Sequence, residues 1–135
     1  MKDDEGNCSP ISWNSKKLRR VVRSTLSAET IAAVEALDSA YMINNIIAEI
    51  FPENKTYEIE LYTDNKSLYD VVRTSNLPED KRLRIDISSL REAQEREGVV
   101  FKWLPSTKQV ADVLTKKGAS KKLLRDVLES ACLVV

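Results

Sequence analysis

Three carboxylates, Glu29, Asp64 and Asp112, stand where acidic side chains from distant parts of the chain could act together. Asp64 follows the alternating run TYEIELYT and precedes a helical segment, and Asp112 lies in the first turn of VADVLTKK, the helical segment after the next strand. Both belong to the strand-end rim where ligands bind in open α/β sheets. Glu29 sits near the start of the helical stretch RSTLSAETIAAVEAL, and at about 100° per residue it shares a face with Ala33, Ala36, Leu37, Ala40 and Ile47. A charge on a packing face is costly unless it is paired or ligates a metal. Converging carboxylates need cations between them, and oxygen donors suit Mg²⁺ above all. Two ions roughly 4 Å apart would form the clamp for in-line phosphodiester hydrolysis. Taken singly, each residue also has a plainer role: Asp64 as a helix cap, Asp112 as a macrodipole partner, Glu29 as a charge reaching solvent.

Composition narrows the chemistry. The 135 residues make about one domain and include no histidine, so histidine triads and histidine-rich zinc sites are excluded. Lys and Arg number 21, as do Asp and Glu, and the zero net charge gives no global attraction to nucleic acid or membrane. Any anion-binding surface must be local. Cys8 and Cys132 lie near opposite ends without metal-ligand spacing, and no signal peptide or membrane-length apolar run occurs. The expectation is an intracellular protein, cytoplasmic or nuclear, with free thiols and no membrane partner.

Several elements can position these residues. MKDDEGN reads as a turn or a frayed end. Ile11 and Trp13 alternate, so Ile11–Val22 reads as a strand with Trp13 in the core. Ser24 or Thr25 can cap a long helix running to Ile50 and ended by Phe51–Pro52. A strand over Thr56–Thr63, a short helix over Lys66–Arg73 and a helix over Lys81–Glu97 stopped by Gly98 follow. VVFKWLP reads as a strand, STKQ as a loop, VADVLTKK as a helix stopped by Gly118, and the segment with Leu123, Leu124, Val127 and Leu128 as a last amphipathic helix. Helices alternating with strands make the class α/β. Lys16, Lys17, Arg19 and Arg20 of KKLRR could contact a phosphate backbone, serve as a nuclear-localisation patch or charge an edge strand against aggregation. The final CLVV matches a prenylation pattern only formally, since Val is not a usual last residue.

The blocks ISWNSKK, RSTLSAET, YTDNKSL, KRLRIDI and KWLPSTKQVADVLTKKGA, in that order, resemble the ribonuclease H domain of copia-type LTR retrotransposon reverse transcriptase polyproteins, from about Pro10 to Leu128. The resemblance implies a ribonuclease H-like three-layer fold, a mixed sheet of order 3-2-1-4-5, and hydrolysis of the RNA strand of RNA–DNA hybrids. It implies Mg²⁺, or Mn²⁺ in its place, held by four acidic residues, three of which fall on Glu29, Asp64 and Asp112. The fourth belongs to the first of two strands that precede SWNSKK in the family. These strands are expected to be missing from this chain, and Asp3 and Asp4 lie in the turn that follows them. The chain is therefore expected to need the upstream reverse transcriptase segment or to displace its N-terminal strand, and to be inactive by itself. The alternative is a non-catalytic nucleic-acid-binding or protein-interaction module derived from a retrotransposon.

Overall fold

The computed structural model describes residues 7–53 and 57–132. They fall into two compact units, residues 20–103 and residues 7–19 with 104–132. The class is α/β with a small parallel sheet of two strands. Readings that concern Asp3, Asp4 and the last three residues of CLVV lie outside the described residues.

The larger unit runs α1 (Thr25–Ile50), β1 (Glu60–Thr63), α2 (Lys66–Arg73), α3 (Lys81–Arg96) and β2 (Val100–Trp103). Helix α1 contains neither glycine nor proline, and Ser24 caps it by accepting from the Ser27 N–H at 3.1 Å. It stops before Pro52, whose ring disfavours helical backbone at Phe51. Its buried seam is Thr30, Ile31, Ala33 and Leu37. Glu29 lies one residue step, about 100°, to the side of Thr30, and is half-buried on the flank of the seam. Ala36, expected on the packing face, is exposed. The second half of α1 presents Met42, Ile46 and Ile50 to solvent, followed by Phe51.

Strands β1 and β2 pair in parallel from Glu60 opposite Val100 to Thr63 opposite Trp103. A parallel pair needs a crossover, here supplied by α2 and α3. Leu61 and Phe101 on one sheet face join Leu68 and Val72 of α2, Leu83, Ile87, Leu90 and Ala93 of α3, and Ala33 and Leu37 of α1 in a single core. Leu68 and Ile87 are fully buried, worth about 1.5–3 kcal/mol each. The other sheet face carries half-buried Glu60, Tyr62 and Lys102.

Local signals fix the helix ends. Asn65 caps α2 by accepting from the Leu68 N–H at 3.0 Å, and Asp80 caps α3 by accepting from Arg82 and Leu83 N–H. Those two donors hold the Asp80 carboxyl below its ordinary range. Gly98, in the left-handed region at φ 71°, lets the Val99 N–H return to the Ala93 carbonyl at 3.2 Å and end α3. Ahead of β1, the Asn44 side chain both donates to the Tyr57 carbonyl and accepts from its N–H, at 3.0 and 3.1 Å. One α1 amide thereby satisfies backbone groups that would otherwise need a neighbouring strand.

The smaller unit holds α4 (Asp112–Thr115) and α5 (Lys122–Ser130), preceded by a 3₁₀ turn at Ser106–Lys108. Asn7 and Cys132 form an isolated antiparallel bridge, and the Ser15 hydroxyl donates to the Leu114 carbonyl at 3.0 Å. Two sequence expectations need correction. Ile11–Val22 is not a strand, because no described residue offers it a ladder, and Trp13 is 71% exposed rather than in the core. The VADVLTKK helix shrinks to the four residues of α4, which ends as Lys116 turns extended.

Candidate metal and nucleic-acid site

Asp64 directly follows β1, at the carboxyl end of the parallel pair. Its plainer role as cap of α2 is taken by Asn65. The buried Thr63 supports this turn through its hydroxyl, which accepts from the Asn65 N–H at 3.1 Å. From β2, the Trp103 indole N–H donates to the Asp64 carbonyl at 3.2 Å and ties the two strand ends together. The Asp64 side chain is half-buried at this rim.

Glu29 occupies the second turn of α1 in the same unit. Asp112 belongs to the other unit, where it is the first residue of α4 and accepts an ion pair from Lys116 at 2.7 Å, one turn on. Its plainer role as a charge at a helix start is thus realised, and the pair with Lys116 adds to it. Among the described residues, no group of three or more His, Cys, Asp or Glu is placed to hold a metal ion.

The four basic residues expected to meet phosphate are all exposed. Lys16, Lys17 and Arg19 lie in the smaller unit. Arg20 belongs to the larger one, where its guanidinium is held in an ion pair with Asp86 of α3. A phosphate at Arg20 would compete with that carboxylate.

Sequence reading missed the polar network on the open sheet face. Glu60 accepts from the Tyr62 hydroxyl at 2.7 Å and from the Lys102 ammonium across the ladder, and Lys102 stands 5.7 Å from the centre of the Tyr62 ring. Burial first, then the bond to Glu60, raises the Tyr62 hydroxyl, and the bond to Glu60 raises Lys102. Groups whose affinity for protons is greater in the folded state stabilise fully below their unfolded values, near 10 for both types, and lose that contribution as pH rises beyond. Glu60→Gln is therefore expected to lower the urea midpoint at pH 8, with the difference from wild type shrinking as pH rises through the range above about 10. A constant difference across that range would contradict the network.

No family model matches the chain, and no solved structure matches it. No helix among the described residues is long and apolar enough to cross a membrane.

Proposed function

We propose that this chain is a ribonuclease H-like domain of the copia retrotransposon type, in which Glu29, Asp64 and Asp112 are metal ligands acting on RNA–DNA hybrids. The observation that carries the reading is the place of Asp64: it ends a strand in a parallel pair, and its neighbour does the capping that would otherwise explain it. The paired β1 and β2 agree with the order 3-2-1-4-5, in which the last two strands are neighbours. A long helix before β1 with Glu29 in its second turn agrees with the family's helix glutamate. The exposed Met42, Ile46 and Ile50 are apolar surface of the kind that further strands would cover. An upstream reverse transcriptase segment is the partner proposed to supply them.

The donor set fits Mg²⁺ or Mn²⁺, being carboxylates alone. When bound, such ions supply the activated water and neutralise the leaving oxygen. The chain's own residues have other tasks. Asp64 presents its carboxylate from a turn fixed by Thr63, Asn65 and Trp103. Asp112, now neutralised by Lys116, would exchange that ammonium for the metal. Lys16, Lys17, Arg19 and Arg20 would attract the hybrid's phosphates, a contribution that weakens with salt.

A second reading is a non-catalytic nucleic-acid-binding module on the same scaffold, for which the exposed Lys16, Lys17, Arg19 and Arg20 would serve without a metal. Labelled RNA–DNA hybrid separates the two. These 135 residues alone are expected to bind the hybrid in a salt-dependent manner and leave it uncut. Joined to a family-type pair of strands carrying the fourth aspartate, they are expected to cut it in Mg²⁺, with Asp64→Asn abolishing the cut. Binding without cleavage by the joined chain assigns the second reading, and no hybrid binding contradicts both.

A further inference from the structure

Phe101 and Trp103 project to the same side of β2, yet Phe101 is 5% exposed and Trp103 43%. The Trp103 N–H is satisfied by the Asp64 carbonyl. That bond lies in the plane of the indole, so it fixes the ring's orientation without itself covering a face. Beside the ring, α2 carries Lys66, Tyr69 and Arg73 at helical spacing along one stripe. The Lys66 ammonium is 4.7 Å from the Tyr69 ring centre and 5.9 Å from that of Trp103, and the Arg73 guanidinium carbon is 5.2 Å from Tyr69. Tyr69 in turn stacks on Phe101 with centres 6.3 Å apart, which anchors the stripe to the core.

An oriented, exposed indole with Lys66 over its ring and Arg73 two turns further along the same helix has the parts of a single-stranded nucleic-acid site: a π-face for a base and charges for its phosphates. We propose that Trp103 stacks an unpaired nucleotide while Lys66 and Arg73 hold the adjoining phosphates. Lys66 stands over the Trp103 ring at 5.9 Å from its centre, near the outer limit of cation–π range, close enough to meet the phosphate of a nucleoside stacked on the indole. Its present partner, Asp70 at 2.9 Å, forms a pair with both side chains more than half exposed. Such surface pairs are weak, so Lys66 can exchange Asp70 for a phosphate at little cost. The ligand class is single-stranded DNA or RNA, because the π-faces of paired bases are occupied by their neighbours. The inference rests on the reading of this rim as nucleic-acid-facing, but it needs neither metal nor hybrid.

The test uses a twelve-nucleotide deoxythymidine oligomer in EDTA. A Trp13→Phe chain retains Trp103 as its single tryptophan, and its emission is expected to be quenched on titration, to saturate, and to recover with added salt. With a dye-labelled oligomer, Trp103→Leu and Lys66→Gln are each expected to weaken binding at least about fivefold, and Trp103→Phe to weaken it less than Trp103→Leu. Unchanged emission, or equal affinity for wild type and the exposed-residue variant Lys66→Gln, overturns the proposal even if Trp103→Leu fails to fold. Quenching in EDTA, with no hybrid cleavage in Mg²⁺ by the chain joined to the strands that carry the fourth aspartate, would leave this site standing and remove the nuclease reading. Metal-dependent hybrid cleavage by the joined chain without quenching would do the reverse.

Discussion

Arg91→Met is expected to destabilise the larger unit by about 3 kcal/mol, a loss set by charge-assisted hydrogen bonds of roughly 1.5–3 kcal/mol each that are only partly replaced by water. The Arg91 guanidinium reaches from α3 to the end of α2, donating to the carbonyls of Val72 at 3.2 Å, Val71 at 2.6 Å and Asn76 at 2.7 Å. The last carbonyls of a helix have no partners within it and carry its negative pole. A planar cation with several fixed N–H groups meets both needs at once. It also pins the loop after α2, and with it the crossover from β1 to β2. Methionine keeps much of the apolar stem, so the loss reports the head group rather than packing. Arg91→Lys is expected to recover less than half of the loss, because an ammonium cannot span three carbonyls spread over six residues. Urea unfolding of the three chains measures both steps. A change below about 0.5 kcal/mol for Arg91→Met, the size of an ordinary surface substitution, would contradict the latch.

Asp64→Asn is expected to weaken Mn²⁺ binding at least tenfold, since removing even a residue that merely supports a metal ligand costs roughly 10–100-fold. Asparagine has the same shape, keeps the backbone carbonyl that Trp103 bonds, and leaves the Asn65 cap untouched. Far-ultraviolet circular dichroism should therefore superpose on wild type. The effect isolates the negative charge, which a hard cation requires. Calorimetric titration of both chains with Mn²⁺ gives the ratio, and equal affinities would remove Asp64 from the ligand set.

Helices α1 and α3 were legible because each combines a helical apolar spacing with end signals that act locally, Ser24 and Pro52 for α1 and Gly98 for α3, whereas the caps Asn65 and Asp80 come from the structure, Asp64 having been read as the candidate cap of α2. Both strands were legible, the first by alternation and the second as the run VVFKWLP ended by Pro105, but of the Thr56–Thr63 expected only Glu60–Thr63 is strand and residues 57–59 are not. The stretch from Ile11 to Val22 was not, since alternation states which face could be buried but does not supply a neighbouring strand. Trp13 followed the same error into solvent. Helix α4 was overextended because Asp112, Val113 and Leu114 have helical spacing that four residues exhaust. Asp64 could be placed at a strand end from sequence alone. The half-burial of Glu29 could not, because the seam of α1 is set by what α3 and β1 present to it, and it centres on Thr30 and Leu37. Arg91 gave no signal either. Its three acceptors lie 15 to 20 residues away and are backbone atoms that any sequence would provide.

The central proposal, which comes from the family resemblance, is that Glu29, Asp64 and Asp112 are ligands of one metal site. The most direct measurement is paramagnetic broadening of the ¹⁵N–¹H spectrum by substoichiometric Mn²⁺. Broadening is expected first and together at the amides around residues 29, 64 and 112, and is expected to disappear from all three regions in Asp64→Asn. Broadening confined to one region, or spread evenly over the acidic surface and unchanged in Asp64→Asn, would contradict a shared site.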